Sequence, residues 1–469
     1  MKIIKFGGTS IGTPERFLYA SKIILKKSEE EFSIVVLSAI GGITDKLLET
    51  IDKAGRGDQE YLNNFGQIRS LHYNFLSSVV KADYQKEIIL IIDNLLNQLG
   101  DKLKGIFLLN ECSNRISDSI VTYGEYLSNI LMVGALRSNG KKCEFHDARK
   151  LIRTNSIFGD AEVNFDITDK LLHDWYDNLD RDQIAVVNGF TGSDKNGHIT
   201  TLGRSGSDYT ATIIGGILNA TIVEIWTDVD GVLSADPKIV PSAKTLEGLS
   251  YLEASCLAVL GGKVIHPKTI SPVERRNVPV CILNTFNPEN KGTYIGNLNN
   301  ADTGGIKTIT YLQGLSSVCI WESESRYGKK ILARLFGLIA RLEIPIITIS
   351  KSAYNQTISF VLQNEFEQSF LDEIKREFVL EFEKGFIAGI NLNNNLVLVS
   401  LIGAKRESSV FIERRVYDVL ENNEIKNVTF LNDPGSLNLS FLIDEHLLSK
   451  TVASIHDNFF ETELASNVA

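Results

Sequence analysis

Two of the commonest phosphate-binding devices are missing from this chain: neither GxxxxGK[ST] nor GxGxxG occurs anywhere in its 469 residues. If a nucleotide is held, another device holds it. Cysteine is scarce. The five present, Cys112, Cys143, Cys256, Cys281 and Cys319, are scattered, odd in number and without a CxxC pair, which argues against a disulfide framework and against a structural zinc site. Reduced thiols are expected. No apolar run approaches the length that spans a bilayer, and the opening residues start a strand rather than a basic n-region followed by an apolar h-region. No membrane partner and a cytoplasmic location are therefore expected. A basic stripe is lacking as well: the formal net charge is −10 with acids and bases interspersed, so nucleic acid is not expected as a partner.

What is present is the composition of a folded multidomain protein, 43% hydrophobic and 23% charged, too long for a single core. From residue 1 to 296, short apolar runs alternate with longer helical stretches, the pattern of an α/β fold with a mainly parallel sheet. IVVL (34–37), IAVV (184–187), IVEIW (222–226) and VPVCIL (278–283) read as buried strands. Between Asp45 and Leu109 lies a helix-prone excursion without strand signals, to which packing alone is assigned. Residues 297–307 are polar and glycine-containing, a linker. Beyond it the pattern predicts strand 315–321, helix 328–342, strands 344–350 and 357–362 and helix 366–378, then strand 396–402, helix 409–422, strands 426–431 and 437–443 and a helix to about 460. Two βαββα units of similar length are an internal repeat, assigned to 308–390 and 391–469.

Five stretches in the first part could carry chemistry. In KFGGTS (5–10), glycines behind a strand let backbone N–H groups approach an anion, the next helix N-terminus adds a positive field, and Lys5 adds a full charge. SAIGGIT (38–44) is a second glycine turn behind a buried strand, and two such turns share one rim of a parallel sheet, where α/β folds bind ligands. TLGRSGSDYTA (201–211) places Arg204 and Asp208 four apart; taken alone, that describes an N-capped helix with a surface ion pair. WTDVDGVLSADPK (226–238) crowds acids into a loop without the spacing of an EF-hand. GGKVIHPKTI (261–270) offers Lys263 after a glycine pair, with His266 structural because Pro267 follows and no nucleophile is signalled nearby.

In chain order, KFGGTS, SAIGGIT, YGE (123–125), GFTGSDKNGHITTLGRSGSDYTA, TDVDGVLSADPK, GGKVIHPKTISP and NTFNPENKGTYIG together resemble the aspartate kinases of the amino-acid-kinase family. The tandem units resemble the ACT domains, ferredoxin-like modules that such enzymes append for feedback control. The resemblance implies a three-layer kinase body over 1–296. It also implies transfer of the γ-phosphoryl of ATP, with Mg2+, to the side-chain carboxylate of L-aspartate. Lys5 and Asp208 would be catalytic, Asp208 orienting Lys5; Ser38, Thr44, Glu125, Arg204 and Ser207 would hold aspartate, Glu125 facing its ammonium and Arg204 a carboxylate. Lys5, Gly7, Gly8, Thr227, Asp228, Leu233, Asp236, Lys238, Lys263 and Val264 would line the nucleotide side, and no protein metal ligand is implied.

Two nucleotide-side positions depart from the family, Leu233 for the usual Tyr and Lys238 for the usual Arg. Turns ahead of the ACT helices, ESESRYGKK and GAKRESS, are less glycine-rich than usual, and apolar Ile347 stands where lysine-sensing relatives carry Asp, so threonine is favoured over lysine as effector. ACT pairing implies a homodimer or larger homo-oligomer. NTFNPENKGTYIG resembles the branch fused to homoserine dehydrogenase, but without a dinucleotide fingerprint no dehydrogenase activity is expected of this polypeptide. Two other readings stay open: a catalytically silent amino-acid sensor on a kinase-like scaffold, and another carboxylate kinase of the same family.

Overall fold

β1 (Lys2–Phe6) is buried at all five positions. A strand can be so only with cover on both faces and neighbours on both sides. In the computed structural model, β1 lies at the centre of an eight-stranded sheet. Its other strands are β2 (Ser33–Leu37), β3 (Cys143–His146), β4 (Ile184–Asn188), β7 (Ile222–Thr227), β8 (Gly248–Leu249), β9 (Val280–Asn284) and β10 (Thr293–Ile295), while β5 (Thr191–Ser193) and β6 (Ile199–Thr201) form a separate hairpin. The order is β3-β4-β2-β1-β7-β9-β10-β8, parallel from β3 to β9 and antiparallel only between β9 and β10. The structure describes residues 1–262, 264–298, 305–323, 325–352, 354–403, 409–431 and 437–461. Lys263, most of the 297–307 linker and the GAKRESS turn from 404 to 408 therefore lie outside the described residues, as does Glu324 of the first ACT-like turn.

The chain divides into two compact units, one of residues 1–233, 245–258 and 263–302, the other of 234–244, 259–262 and 303–469. In the first, the expected helical excursion is three helices, α2 (Ile43–Gly55), α3 (Tyr61–Val79) and α4 (Ala82–Leu109), packed with α1 (Pro14–Glu30) against one face of the sheet. α5 (Asn114–Val121) leads into α6 (Tyr123–Ser138), in which every residue except Arg137 is buried, the pattern of a helix sealed within a core. α7 (Phe165–Asp177), α8 (Gly206–Ile217), α9 (Tyr251–Val259) and α10 (Pro267–Glu274) complete this part of the chain. Because the strands are parallel and Phe6 registers with Leu37 and Trp226, and Leu37 with Asn188, the loops after β1, β2, β4 and β7 emerge along one rim.

The second unit is one six-stranded antiparallel sheet, β12-β13-β11-β14-β16-β15. Its strands are β11 (Thr308–Glu322), β12 (Ile346–Ser352), β13 (Thr357–Gln363), β14 (Ile387–Ile402), β15 (Thr429–Leu431) and β16 (Asn438–Asp444). Its helices are α11 (Ser325–Leu342), α12 (Asn364–Glu377), α13 (Val379–Glu383), α14 (Ser409–Asn422) and α15 (Leu448–His456).

Among the described residues three hydrophobic clusters form here, and the two larger ones are nested rather than consecutive. Ile309, at the start of β11, packs with Val397, Val399, Leu401 and residues of α14, β16 and α15, whereas Val318 and Ile320, at its end, pack with α11, β13, α12 and Ile387. β11 and β14 pair along their length, with a register shift between Leu312 and Leu315 at Gly314, whose φ of +71° suits a bulge. Ala235 and Val240 also join the core containing Ile309, and the Ile309 N–H donates to Ser234 O at 2.9 Å. Among the described residues, no helix is long and apolar enough to cross a membrane.

Candidate active site

Alternation along β1 turns Ile4 and Phe6 into the helical core and leaves Lys5 on the opposite face, 6% exposed. There its Nζ lies 2.5 Å from Asp208 Oδ1 in the first turn of α8; the contact is a charge pair without the alignment of a hydrogen bond. Asp208 thus pairs with Lys5 rather than with Arg204, and the surface ion pair that the four-residue spacing allowed is absent. The two glycine turns interlock backbone to backbone. Gly41 N–H donates to Gly8 O at 3.1 Å, and a Cβ on Gly8 would stand 2.9 Å from Ala39 O, closer than side-chain carbons come. Gly7 N–H donates to Trp226 O, and a Cβ there would come to 3.4 Å of Lys5 Nζ.

Glu125 enters from the first turn of α6, 3% exposed, and its Oε2 has no hydrogen-bond partner among the described residues. Burial pushes its carboxyl up to about 8, against the opposing pull of the Ala39 N–H, its own N–H and the Lys5 charge. The β5–β6 hairpin delivers Arg204 through a turn with Gly203 at φ +76° and Ser205 at φ +54°. Arg204 is exposed and forms no ion pair among the described residues. Lys5, Glu125, Arg204 and Asp208 line one cavity of about 520 Å³, which Ser38, Thr44, Ser207 and Gly8 help to close. A carboxyl without a hydrogen-bonded cation at one wall, which an arriving ammonium would draw into its ionised form, and an unpaired guanidinium at another suit a ligand with both an ammonium and a carboxylate.

On the nucleotide side, Gly7, Thr227 and Asp228 stand at the same rim, at the ends of the adjacent strands β1 and β7. Leu233 bridges Thr245 in the first unit, and Asp230 is committed to Asn284 Nδ2 and Asn287 Nδ2 at 2.8 and 3.1 Å. Asp236 and Lys238 belong to the second unit, where Tyr311 Oη donates to Asp236 Oδ2 at 2.6 Å and the Lys238 N–H to Asp236 Oδ1. Val264 is half-buried, and His266 caps α10 through Nδ1, a structural role as expected.

Residues 1–284 match the amino acid kinase family. The chain is also 31% identical to aspartokinase 3, chloroplastic, of Arabidopsis thaliana, over 100% of this chain and 83% of that protein. The chain belongs to this family, in its aspartokinase branch. It is 30% identical to a bifunctional aspartokinase/homoserine dehydrogenase of Buchnera aphidicola across 98% of this chain but only 56% of the relative, so it spans about half the length of such bifunctional proteins. E. coli aspartokinase III solved with aspartate and ADP in its R-state superposes with a TM-score of 0.82 at 28% identity, covering 98% of this chain and 100% of that one. Its T-state with lysine and aspartate gives 0.78 at the same identity and covers 98% and 99%.

Within this aspartokinase fold, two cavity residues were not singled out from the sequence, although Phe190 lies in the quoted GFTGSDK stretch. Phe190, which follows β4, holds φ +67°, a strained value for a bulky side chain, fixed by its N–H to Thr210 Oγ1 and its carbonyl to the Leu202 N–H. Asp118 of α5 is a buried carboxylate in the cavity wall, pushed up by burial and pulled down by donors from Gly159 and Thr201.

Proposed function

We propose that the chain transfers the γ-phosphoryl group of ATP to the side-chain carboxylate of L-aspartate, giving 4-phospho-L-aspartate and ADP. The single observation that carries this is the shared cavity of Lys5, Glu125, Arg204 and Asp208. The acceptor carboxylate, with a reference pKa of about 4, is already ionised at neutral pH and needs no general base. One P–O bond, to the bridging oxygen, breaks; one, to the carboxylate oxygen, forms; ADP leaves with the electron pair, and no proton moves.

The protein's task is then position and charge. Lys5 meets the transferring phosphoryl, and Asp208 holds Lys5 in place. The Gly7 N–H is taken by Trp226 O, so the Gly8 amide and the N-terminus of α8 are the main-chain groups left to meet the anionic groups. Glu125 takes the aspartate ammonium and Arg204 its carboxylate, with Ser38, Thr44 and Ser207 supplying hydroxyl contacts. Thr227, Asp228, Leu233, Asp236, Lys238, Lys263 and Val264 serve the nucleotide. Mg2+ arriving with the nucleotide would supply neutralisation of phosphate charge; no protein ligand is assigned to it, since Asp208 is paired with Lys5.

An effector amino acid acts through the second unit, threonine rather than lysine, because Ile347 packs as an apolar residue beside Leu315, Val361 and Leu396. Subunits pair through their ACT sheets, and the enzyme works in the cytoplasm. The decisive experiment measures ADP release with and without L-aspartate and traps the acyl phosphate with hydroxylamine as the hydroxamate. Aspartate-dependent ADP release with hydroxamate formation supports the reading, and a silent sensor gives neither. Lysine and threonine titrations in the same assay decide the effector.

A further inference from the structure

Arg204 makes no hydrogen bond or ion pair among the described residues, so nothing on its own side chain sets where it points. Its position is inherited from the backbone on either side. On one side, Gly203 lies so close to Asp160 that a Cβ there would collide with Asp160 Oδ1. Three residues before Arg204, Thr201 ends β6. Both approaches run to one group. Asp118 of α5, 3% exposed, accepts from Gly159 N–H at 3.0 Å and Thr201 N–H at 2.9 Å on Oδ2, and from Thr201 Oγ1 at 3.1 Å on Oδ1. It lines the cavity, yet both its oxygens are occupied, which leaves it poorly suited to be a ligand itself.

One helical turn earlier, Arg115 Nη1 meets His198 Nε2 at 3.3 Å, and His198 Nδ1 lies 3.1 Å from Asp194 Oδ2. The three-residue step from Arg115 to Asp118 matches the step from His198 to Thr201, so α5 is fastened to the β5–β6 hairpin at two successive points.

We propose that Asp118 is a positioning residue for substrate recognition, clamping the 155–160 segment and the end of β6 so that Arg204 meets the aspartate carboxylate. This rests on reading the cavity as the aspartate site. A merely structural carboxylate would, when removed, lower stability and affect both substrates alike; a positioning one separates them.

The test is Asp118→Asn in the full chain, with Thr201→Val, which deletes one of the three donors, as the milder variant should Asp118→Asn fail to fold. The aspartate KM is expected to rise about tenfold in Asp118→Asn and two- to threefold in Thr201→Val, with the ATP KM within about twofold of wild type. Hydrogen exchange should quicken in peptides covering 199–208 and stay unchanged in α6 and β1. An unchanged aspartate KM, or equal rises in both KM values, overturns the proposal. If the wild type shows no aspartate-dependent turnover, the functional reading fails instead, and unaltered exchange over 199–208 would still overturn the clamp by itself.

Discussion

Glu125 is a carboxyl whose burial raises its pKa to about 8 from the ordinary 4.5, and among the described residues no donor reaches its Oε2. A carboxyl with a raised pKa in the folded state binds more protons folded than unfolded between those two values, and stability therefore falls as pH rises from 4.5 to about 8. Glu125→Gln removes that penalty. Its thermal midpoint is expected to exceed wild type by more at pH 8 than at pH 5, while its aspartate KM rises because the ammonium loses its counter-charge. Differential scanning fluorimetry at both pH values and steady-state kinetics check the two halves, and an equal midpoint difference at both pH values would contradict the burial argument. Leu233 and Lys238 keep an apolar face and a charge but neither a stacking ring nor a guanidinium fork. Leu233→Tyr and Lys238→Arg are each expected to lower the ATP KM by about two- to fivefold, read in ATP saturation curves. Unchanged saturation in both variants counts against a nucleotide role for this loop.

Among the elements, α3 carries a buried histidine with a clear pH consequence. His72 donates Nδ1–H to Ile68 O at 2.7 Å, its Nε2 has no partner among the described residues, and burial lowers its pKa to about 4. Its stabilising contribution is complete above the ordinary 6.5 and is lost as pH falls towards 4, since the unfolded chain then binds the proton first. In His72→Phe the thermal midpoint is expected to fall less between pH 7 and pH 5 than in wild type; parallel curves would show that acid lability arises elsewhere.

The elements that sequence patterning located were those with a strong apolar signature. β2, β4 and β7 are buried runs, and the Asp45–Leu109 stretch had helical periodicity and no strand signal. The early half of β14 was not legible: Asn391 and Asn393 are strand residues through backbone pairing with Cys319 and Ser317, and such pairing leaves no apolar pattern. At the site, the glycine turns pointed to the rim because close backbone approach demands glycine, whereas the Arg204–Asp208 spacing by itself suggested a surface ion pair and only the family resemblance placed both residues at the site. Asp118 left no such trace, since its partners lie 41 and 83 residues away along the chain.

At the level of the whole molecule, residues 234–244 and 259–262 interrupt the first unit yet pack with the second. A fragment ending at residue 298 would therefore leave Ala235 and Val240 without the partners that bury them, among them Ile309, Val397 and Phe441. Such a fragment is expected to be cleaved by limited proteolysis within 234–244 where the full chain resists; equal resistance would show that this stretch holds its conformation without the second unit. The nesting of the two cores has another outcome. Leu315 and Leu396 face each other across β11 and β14, so the inner core leaves the chain and returns to it at neighbouring points. A stretch with adjacent ends is a cassette: splicing the two leucines through a short turn excises it whole, or accepts a foreign one, while every remaining segment keeps its native order.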